Sequence, residues 1–384
     1  MSWMQLLKRT YIIVFKLLLQ LAYSTLSSFK KTDNKKVVIA LYRTNELDDN
    51  LKFISNEINK QLPDAKIHLV FGENKMNLKL FKEIVKLSDA RYLILDDYYL
   101  PIYLVNLKGN LKVIQLWHAA GALKKFGYST VGTKFGPNNA YLDLVPIHSN
   151  YTHVYISAAK FTNYYAEAFN MDPSRIYPLG VPRTDLFNNK ELCNLTKEKI
   201  YKDYPVLGKS GFVNILIAPT YRAQGIYLES PLEVLDSVIN IASLLNNNIK
   251  IIFKPHPYMK EEEIERLQEC RNVIIVNEYP INEWMLIADA FITDYSSAIF
   301  EFSLLKKPMA HFVPDKKQYG QNRGFYQELE ISSDGTILQN DFQLKEWINA
   351  REYNQHFDSS RMIKYNFDKT ENVSREIVKH FISE

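Results

Sequence analysis

Residues 249–257 read IKIIFKPHP: five residues of nearly unbroken apolar chain, then Lys254, Pro255, His256 and Pro257. A run this short and apolar, stopped by proline, predicts a strand buried on both faces whose ladder cannot continue. The same construction recurs outward in both directions. VNILIAPTYR spans 213–222 and AFITDYSSAIFEF spans 290–302. Further off lie KKVVIALYR (35–43), KIHLVFG (66–72), RYLILDD (91–97), LKVIQLWHA (111–119), DLVPIHS (143–149), RIYPLG (175–180), NVIIVNE (272–278) and PMAHFV (308–313). Stretches with helical patterning separate them, such as LEVLDSVINIASLLNN (232–247) and KEEEIERLQEC (260–270). This alternation predicts parallel sheets covered by helices, in two doubly wound α/β units. The polar segment around 185–212 predicts the boundary, with one Rossmann-like domain over 37–190 and a second over 211–384. In such sheets ligands bind beyond the carboxyl ends of the strands, so the functional reading rests on the residues that stand there.

The bulk properties agree. A chain of 384 residues is long enough for two domains with separate cores, and 46% apolar with 23% charged residues excludes a wholly disordered chain. Cys193 and Cys270 make neither a disulfide scaffold nor, by themselves, a zinc site. The charge is uneven. Residues 1–36 carry seven Lys and Arg against one Asp, a net of +6, so the other 348 residues total −2 of the chain's +4. A near-neutral body argues against nucleic acid as a partner, because that affinity comes from clustered cations on phosphates.

The basic excess sits on MSWMQLLKRTYIIVFKLLLQLAYSTLSSFKK, residues 1–31. Lys16 interrupts the apolar run, and a clean span needs roughly 20 predominantly apolar residues. No small-residue cleavage site follows closely, as a signal peptide requires. At about 100° per residue, Ser2, Gln5, Arg9, Lys16, Gln20, Ser24 and Ser27 fall on one narrow stripe. This predicts an amphipathic helix with a wide apolar face. Such a helix either lies in an anionic membrane surface or packs on the protein's own body; the basic cluster favours the membrane.

Four strand ends carry chemistry. In QLWHAAGALKKFG (115–127), His118 ends a strand before Ala119, Ala120 and Gly121, and Lys124 and Lys125 follow. An imidazole there fits a general base, small residues permit close substrate approach, and lysines attract phosphate; a structural histidine beside an ordinary loop fits the same residues. In APTYRAQG, Arg222 can fork onto phosphate oxygens or form a surface ion pair. In IIFKPHP, Lys254 and His256 point the same way if the chain stays extended, which suits a leaving diphosphate. In AFITDYSSAIFEF, a strand ends at Asp294 and Ser296 and Ser297 open a helix, either as caps or as a phosphate cradle. Neither G-x-x-x-x-G-K-[ST] nor G-x-G-x-x-G occurs, which disfavours a P-loop ATPase or a standard dinucleotide enzyme. His148 and His153 are five apart, a spacing that suits neither a helix face nor strand alternation, so no metal is assigned.

WHAAGALKKFG, PTYR, KPHP and TDYSSAIFEF, in this order, with RGFY at 323–326, resemble the CDP-glycerol glycerophosphotransferases of teichoic acid synthesis, the TagB/TagF family. The resemblance covers roughly residues 37–365. It implies a GT-B-like fold of two Rossmann-like domains facing a cleft, the first taking the acceptor and the second CDP-glycerol. It also implies a peripheral protein on the cytoplasmic face of the cell membrane. The expected reaction moves glycerol phosphate from CDP-glycerol to an undecaprenyl-diphosphate-linked disaccharide and releases CMP. By resemblance His118 is the base, His256 the donor-side histidine, and Arg222, Ser296 and Ser297 hold diphosphate and cytidine; Lys124, Lys254 and Asp294 complete the expected substrate-binding set. No cofactor is assigned, and the need for a divalent ion stays open. The short N-terminal appendage, the single GT-B-sized body and Ala119 suggest a glycerol-phosphate primase. A transferase adding later units, a ribitol-phosphate relative, a nucleotide-sugar glycosyltransferase and a catalytically silent scaffold are the alternatives.

Overall fold

A computed structural model describes residues 3–42, 45–72, 75–133, 136–220, 233–352 and 357–384. Its described strands form two sheets. The first contains β1 (Asp33–Leu41), β2 (Lys66–Phe71), β3 (Ala90–Leu95), β4 (Lys112–Gln115), β5 (His153–Tyr155) and β6 (Ile176–Tyr177), in the order β2-β1-β3-β4-β5-β6. The second contains β7 (Val213–Ile217), β8 (Ile249–Phe253), β9 (Val273–Ile275), β10 (Ala290–Thr293), β11 (Met309–Phe312) and β12 (Thr336–Leu338), in the order β12-β11-β10-β7-β8-β9. Every neighbouring pair is parallel. β7 is buried along its whole length, which is why its sequence is apolar rather than alternating. The strand order reverses direction between β1 and β3 in the first sheet and between β7 and β10 in the second. These are the switch points at which doubly wound sheets open a crevice.

The chain divides into two compact units: 1–119, 125–185 and 368–384 in one, 120–124 and 186–367 in the other. The second domain expected over 211–384 is therefore differently bounded. It begins at 186, and the chain after 367 returns to the first unit. The reason is a helical stripe on the last helix, Val373–Ser383. Val373, Ile377, Val378 and Phe381 are all fully buried with Val37, Ile39 and Leu41 of β1 and Leu51, Ile54 and Ile58 of the helix Asp49–Gln61. Asp185 anchors the start of the last helix by accepting hydrogen bonds from the Val373 and Ser374 amides, both at 2.8 Å. Gly180, at φ +104°, lets that helix approach: a Cβ there would lie 2.8 Å from Val373.

The N-terminal helix, Trp3–Phe29, packs one stripe on the protein's own body. Ile12, Phe15, Leu19, Tyr23 and Ser27 are buried on the first unit, with Phe15 edge-on to Phe81 at 5.8 Å. The polar stripe borders this contact: Lys16 Nζ donates to the Leu144 carbonyl, and Gln20 Oε1 accepts from the Asn106 amide. The opposite side is apolar and exposed, with Trp3, Leu7, Val14, Leu17, Leu18 and Leu21 all in solvent. By length and composition the helix is apolar enough to cross a membrane.

Candidate active site

In the first unit the carboxyl ends of adjacent strands β3 and β4 converge on His118. Beyond β4 the chain turns at Trp117, whose φ of +51° is a strained conformation for a bulky residue. Buried polar groups hold the turn. Trp117 N–H donates to Gln115 Oε1 at 2.9 Å, and its carbonyl accepts from Asn50 Nδ2 at 2.8 Å. The His118 carbonyl accepts from Arg183 Nη2 at 3.0 Å. Asn50 also accepts the Arg183 amide, and the Arg183 guanidinium pairs with Asp49 at 3.2 Å. Strain of this kind costs on the order of 1–3 kcal/mol and persists only where the surroundings over-determine it, as these bonds do.

The His118 ring stacks on Trp117 at 4.2 Å and keeps a quarter of its side chain exposed. Its Nδ1 lies 3.0 Å from the Asp96 carbonyl and 3.6 Å from the Asp97 carboxylate. A carbonyl oxygen only accepts, so Nδ1 carries the proton and Nε2 of the neutral ring is the basic atom. This is the tautomer a general base needs, with a buried carboxylate placed to stabilise the ring once it is protonated. Asp97, Asn50 and Arg183 were not singled out in the sequence. The one signal was the pair of aspartates ending RYLILDD, on the strand that proves to neighbour β4.

The small residues after His118 do something other than expected. Ala120, Gly121 and Ala122 are buried, and Ala120–Lys124 group with the second unit. A Cβ on Gly121, at φ +66°, would lie 2.9 Å from Phe300 and Asn366, so the residue is small for packing and not for substrate approach. Lys124 bridges to Phe325, and the Tyr326 amide donates to the Leu123 carbonyl, which places Lys124 against the RGFY segment.

In the second unit, PTYR, KPHP and TDYSS follow β7, β8 and β10, three adjacent strands. Thr220 ties the ends of β7 and β10 across the switch point: its amide and hydroxyl donate to the Asp294 carboxylate at 2.8 and 2.7 Å. Asp294 itself is fully buried. Lys254 Nζ donates to the Asn277 and Glu278 carbonyls, in the loop beyond β9. His256 Nδ1 accepts the Tyr258 amide at 3.3 Å, leaving the neutral ring's proton on Nε2 as a donor. Ser297 is the N-cap of the short helix Ala298–Phe302 without a side-chain capping bond, and Ser296 Oγ accepts the Ala298 amide at 3.2 Å. Both serines are partly exposed. Arg222 lies outside the described residues.

Two other histidines are structural. His148 is packed among Tyr98, Trp117 and Phe169, and burial holds its imidazole down at about 3. His311, fully buried, donates from Nδ1 to the Asp294 carbonyl at 2.7 Å, and burial holds it down at about 4. The unfolded chain takes up these protons near 6.5, so it binds more protons than the folded chain below that pH. The stability is whole above about pH 6.5 and is lost as pH falls towards the folded values. Taking the protein from pH 7.5 to 5.0 is expected to cost about 2 kcal/mol for each histidine. Urea midpoints across that range check this, and His148→Phe should flatten the acid limb. An unchanged limb in that variant would show that His148 is not buried neutral.

Comparison with known proteins gives this geometry a family. A profile described as CDP-Glycerol:Poly(glycerophosphate) glycerophosphotransferase matches residues 22–379. The teichoic acid ribitol-phosphate primase of Bacillus spizizenii strain W23 is 39% identical over 325 residues, 82% of each chain. The glycerol-phosphate primase of Bacillus subtilis strain 168 is 25% identical, over 76% of this chain and 74% of its own. The poly(ribitol-phosphate) polymerase of the same B. spizizenii strain is 31% identical over 90% of this chain, which spans 55% of the polymerase. Among solved structures, the wall teichoic acid polymerase TagF matches with a TM-score of 0.73 at 20% identity, covering 100% of this chain and 98% of that one. That likeness shows the fold, a GT-B-like pair of Rossmann-like domains. The chain therefore belongs to the CDP-glycerol:poly(glycerophosphate) glycerophosphotransferase family, with the primases and polymerases of teichoic acid synthesis among its relatives.

Proposed function

We propose that the protein primes wall teichoic acid by transferring one polyol phosphate, ribitol phosphate in preference to glycerol phosphate, from a CDP-linked donor to a lipid-diphosphate-linked saccharide. The observation that carries this reading is the 39% identity over 82% of both chains with a ribitol-phosphate primase, against 25% with a glycerol-phosphate primase. The glycerol-phosphate donor expected from sequence thus becomes the second choice. In the reaction, His118 Nε2 takes the proton of the acceptor hydroxyl as its oxygen attacks the β-phosphoryl group. The bond between that phosphorus and the bridging oxygen breaks, and CMP leaves with the electron pair. His256 Nε2–H, the start of the TDYSS helix and Arg222 offset the charge on the diphosphate. Positioning and hydrogen-bond donors supply most of what phosphoryl transfer needs.

The experiment is to incubate the protein with CDP-ribitol or CDP-glycerol and a short-chain lipid-linked disaccharide, then weigh the product. One added ribitol phosphate is the expected result. One added glycerol phosphate reverses the donor preference, a ladder of products makes it a polymerase, and turnover only of UDP-sugars makes it a glycosyltransferase.

The same reading places the protein on the cytoplasmic face of the cell membrane, held through the exposed apolar side of the N-terminal helix and its basic neighbours. Deleting this helix would uncover the surface under Phe15 and Leu19, so point changes test the idea better. Leu17 and Leu21 are 64% and 65% exposed. Burying a leucine contributes roughly 1.5–3 kcal/mol, so Leu17→Lys with Leu21→Lys should reduce binding to anionic vesicles at least tenfold and leave Tm unchanged. Vesicle binding equal to wild type would move the anchor elsewhere.

A further inference from the structure

The returning C-terminal helix brings two histidines and a carboxylate together on the first sheet, in a cluster that the transfer reaction does not use. His153 opens β5 with 6% of its side chain exposed, and its Nε2 lies 2.7 Å from Glu384 Oε2. His380, one turn before Glu384, has its Nε2 3.6 Å from Glu384 Oε1. One ligating atom from each of the three residues lies within 4.8 Å of the others. Both rings are held from behind at Nδ1. His153 Nδ1 is 2.8 Å from Thr152 Oγ1, and His380 Nδ1 is 2.9 Å from the Tyr155 hydroxyl. Tyr177 packs on the His380 ring at 4.3 Å and on the His153 ring at 5.5 Å, walling one side.

Each feature has a counterpart in metal sites. A ligating imidazole presents one nitrogen to the ion and engages the other in a hydrogen bond that sets its tautomer and orientation. Here hydroxyls occupy both Nδ1 atoms and both Nε2 atoms converge on one carboxylate. Zinc–ligand bonds of about 2.0–2.1 Å at tetrahedral angles put neighbouring ligand atoms about 3.3 Å apart. The observed 2.7 and 3.6 Å between the imidazole nitrogens and the carboxylate bracket that value. Burial also lowers the His153 pKa, which favours the neutral imidazole that a metal needs. The charged group nearby, Lys112, donates its Nζ to the Phe381 carbonyl at 2.8 Å.

We propose that His153 Nε2, His380 Nε2 and the Glu384 carboxylate bind a borderline transition-metal dication, zinc foremost, with water in a fourth position, and that the ion clamps the helix Val373–Ser383 to the first sheet. Two nitrogens and one oxygen favour zinc, cobalt or nickel over magnesium or calcium. The ion is structural: His118 and Asp97 are not members of the cluster.

The test uses the untagged full chain, stripped with a chelator and dialysed. Titration with Zn²⁺ should show one equivalent bound at micromolar Kd or tighter, with a raised Tm. Co²⁺ should give the visible absorption of a four-coordinate site, and Zn²⁺ should bleach it. His380→Ala and Glu384→Gln, at partly exposed positions that leave the core intact, should each weaken Zn²⁺ binding more than about 100-fold; Tyr155→Phe, which removes only the supporting hydroxyl, should weaken it about 10–100-fold. Absence of stoichiometric Zn²⁺ binding by the wild type overturns the proposal and leaves the cluster a histidine–carboxylate ion pair. Binding that survives both ligand substitutions overturns it as well, by placing the ion elsewhere. Neither outcome depends on which polyol phosphate the protein transfers.

Discussion

His118→Ala is expected to lower kcat by roughly 10²–10⁴-fold, the usual contribution of a positioned general base, while affinity for the CDP-linked donor barely changes. The expectation follows from the turn after β4. The left-handed Trp117, its carbonyl on Asn50 and the His118 carbonyl on Arg183 fix the backbone, and the Asp96 carbonyl fixes the ring through Nδ1. Nε2 is thereby presented as an acceptor. His118→Gln keeps a hydrogen-bonding side chain but takes up no proton well, so it should be nearly as slow as the alanine variant. The reaction needs the unprotonated ring, so kcat/KM should fall on acidification in the wild type and lose that limb in either variant. Asp97→Asn should lower kcat less than His118→Ala and displace the acid limb, because Asp97 acts through the imidazole and not on substrate. Near-normal turnover by His118→Gln would sink the base assignment and leave a positioning role. Loss of donor binding in His118→Ala would instead put this histidine in the nucleotide site.

The second large effect is expected at His256. Removing a donor aimed at developing charge typically costs 10²–10³ in kcat, so His256→Ala should fall by about that factor, with weaker donor binding as well. The Tyr258 amide on Nδ1 makes Nε2–H the proton-bearing nitrogen of the neutral ring, which is the form that can donate to a phosphate oxygen. His256→Gln should recover part of the loss by supplying an amide donor, a rescue that a general-base role would not permit. Ser297→Ala should cost less, about 1.5–3 kcal/mol if its hydroxyl meets a charged phosphate. Calorimetry with the CDP-linked donor and steady-state kinetics separate the two contributions. Unchanged affinity and turnover in both His256→Ala and Ser297→Ala would move the donor site away from β8 and β10.

The two histidines were legible to the same degree. Both stood out because each closes an apolar strand, and strand ends are where doubly wound sheets bind ligands. Which ring nitrogen is basic in each was not legible. That depends on a carbonyl from the neighbouring strand β3 for His118, and on an amide two residues along for His256. The internal partners of Asp294 and Lys254 were equally illegible in a linear motif: the first accepts from Thr220 and the second donates to the carbonyls of residues 277 and 278.

From sequence alone, most of the strands, the α/β class, the two units and the loaded strand ends follow, because burial on both faces demands unbroken apolar runs and proline or polar residues must stop them; the run DLVPIHS (143–149) is turn instead, and the three-residue strands β5 and β12 are too short to show such a run. The N-terminal helix follows likewise from its 3.6-residue period. Pairing order is a different matter, since any apolar strand can add to any other, and only the tertiary structure puts β10 beside β7 and β3 beside β4. That order brings Thr220 to Asp294 and Asp97 to His118. It took the folded chain to show that residues 368–384 return to the first unit, where contacts across more than three hundred residues cover β1, and contacts across more than two hundred assemble His153, His380 and Glu384. Local propensity is written in neighbouring residues; convergence of distant side chains depends on which buried surfaces fit, and that is decided only when the whole chain packs.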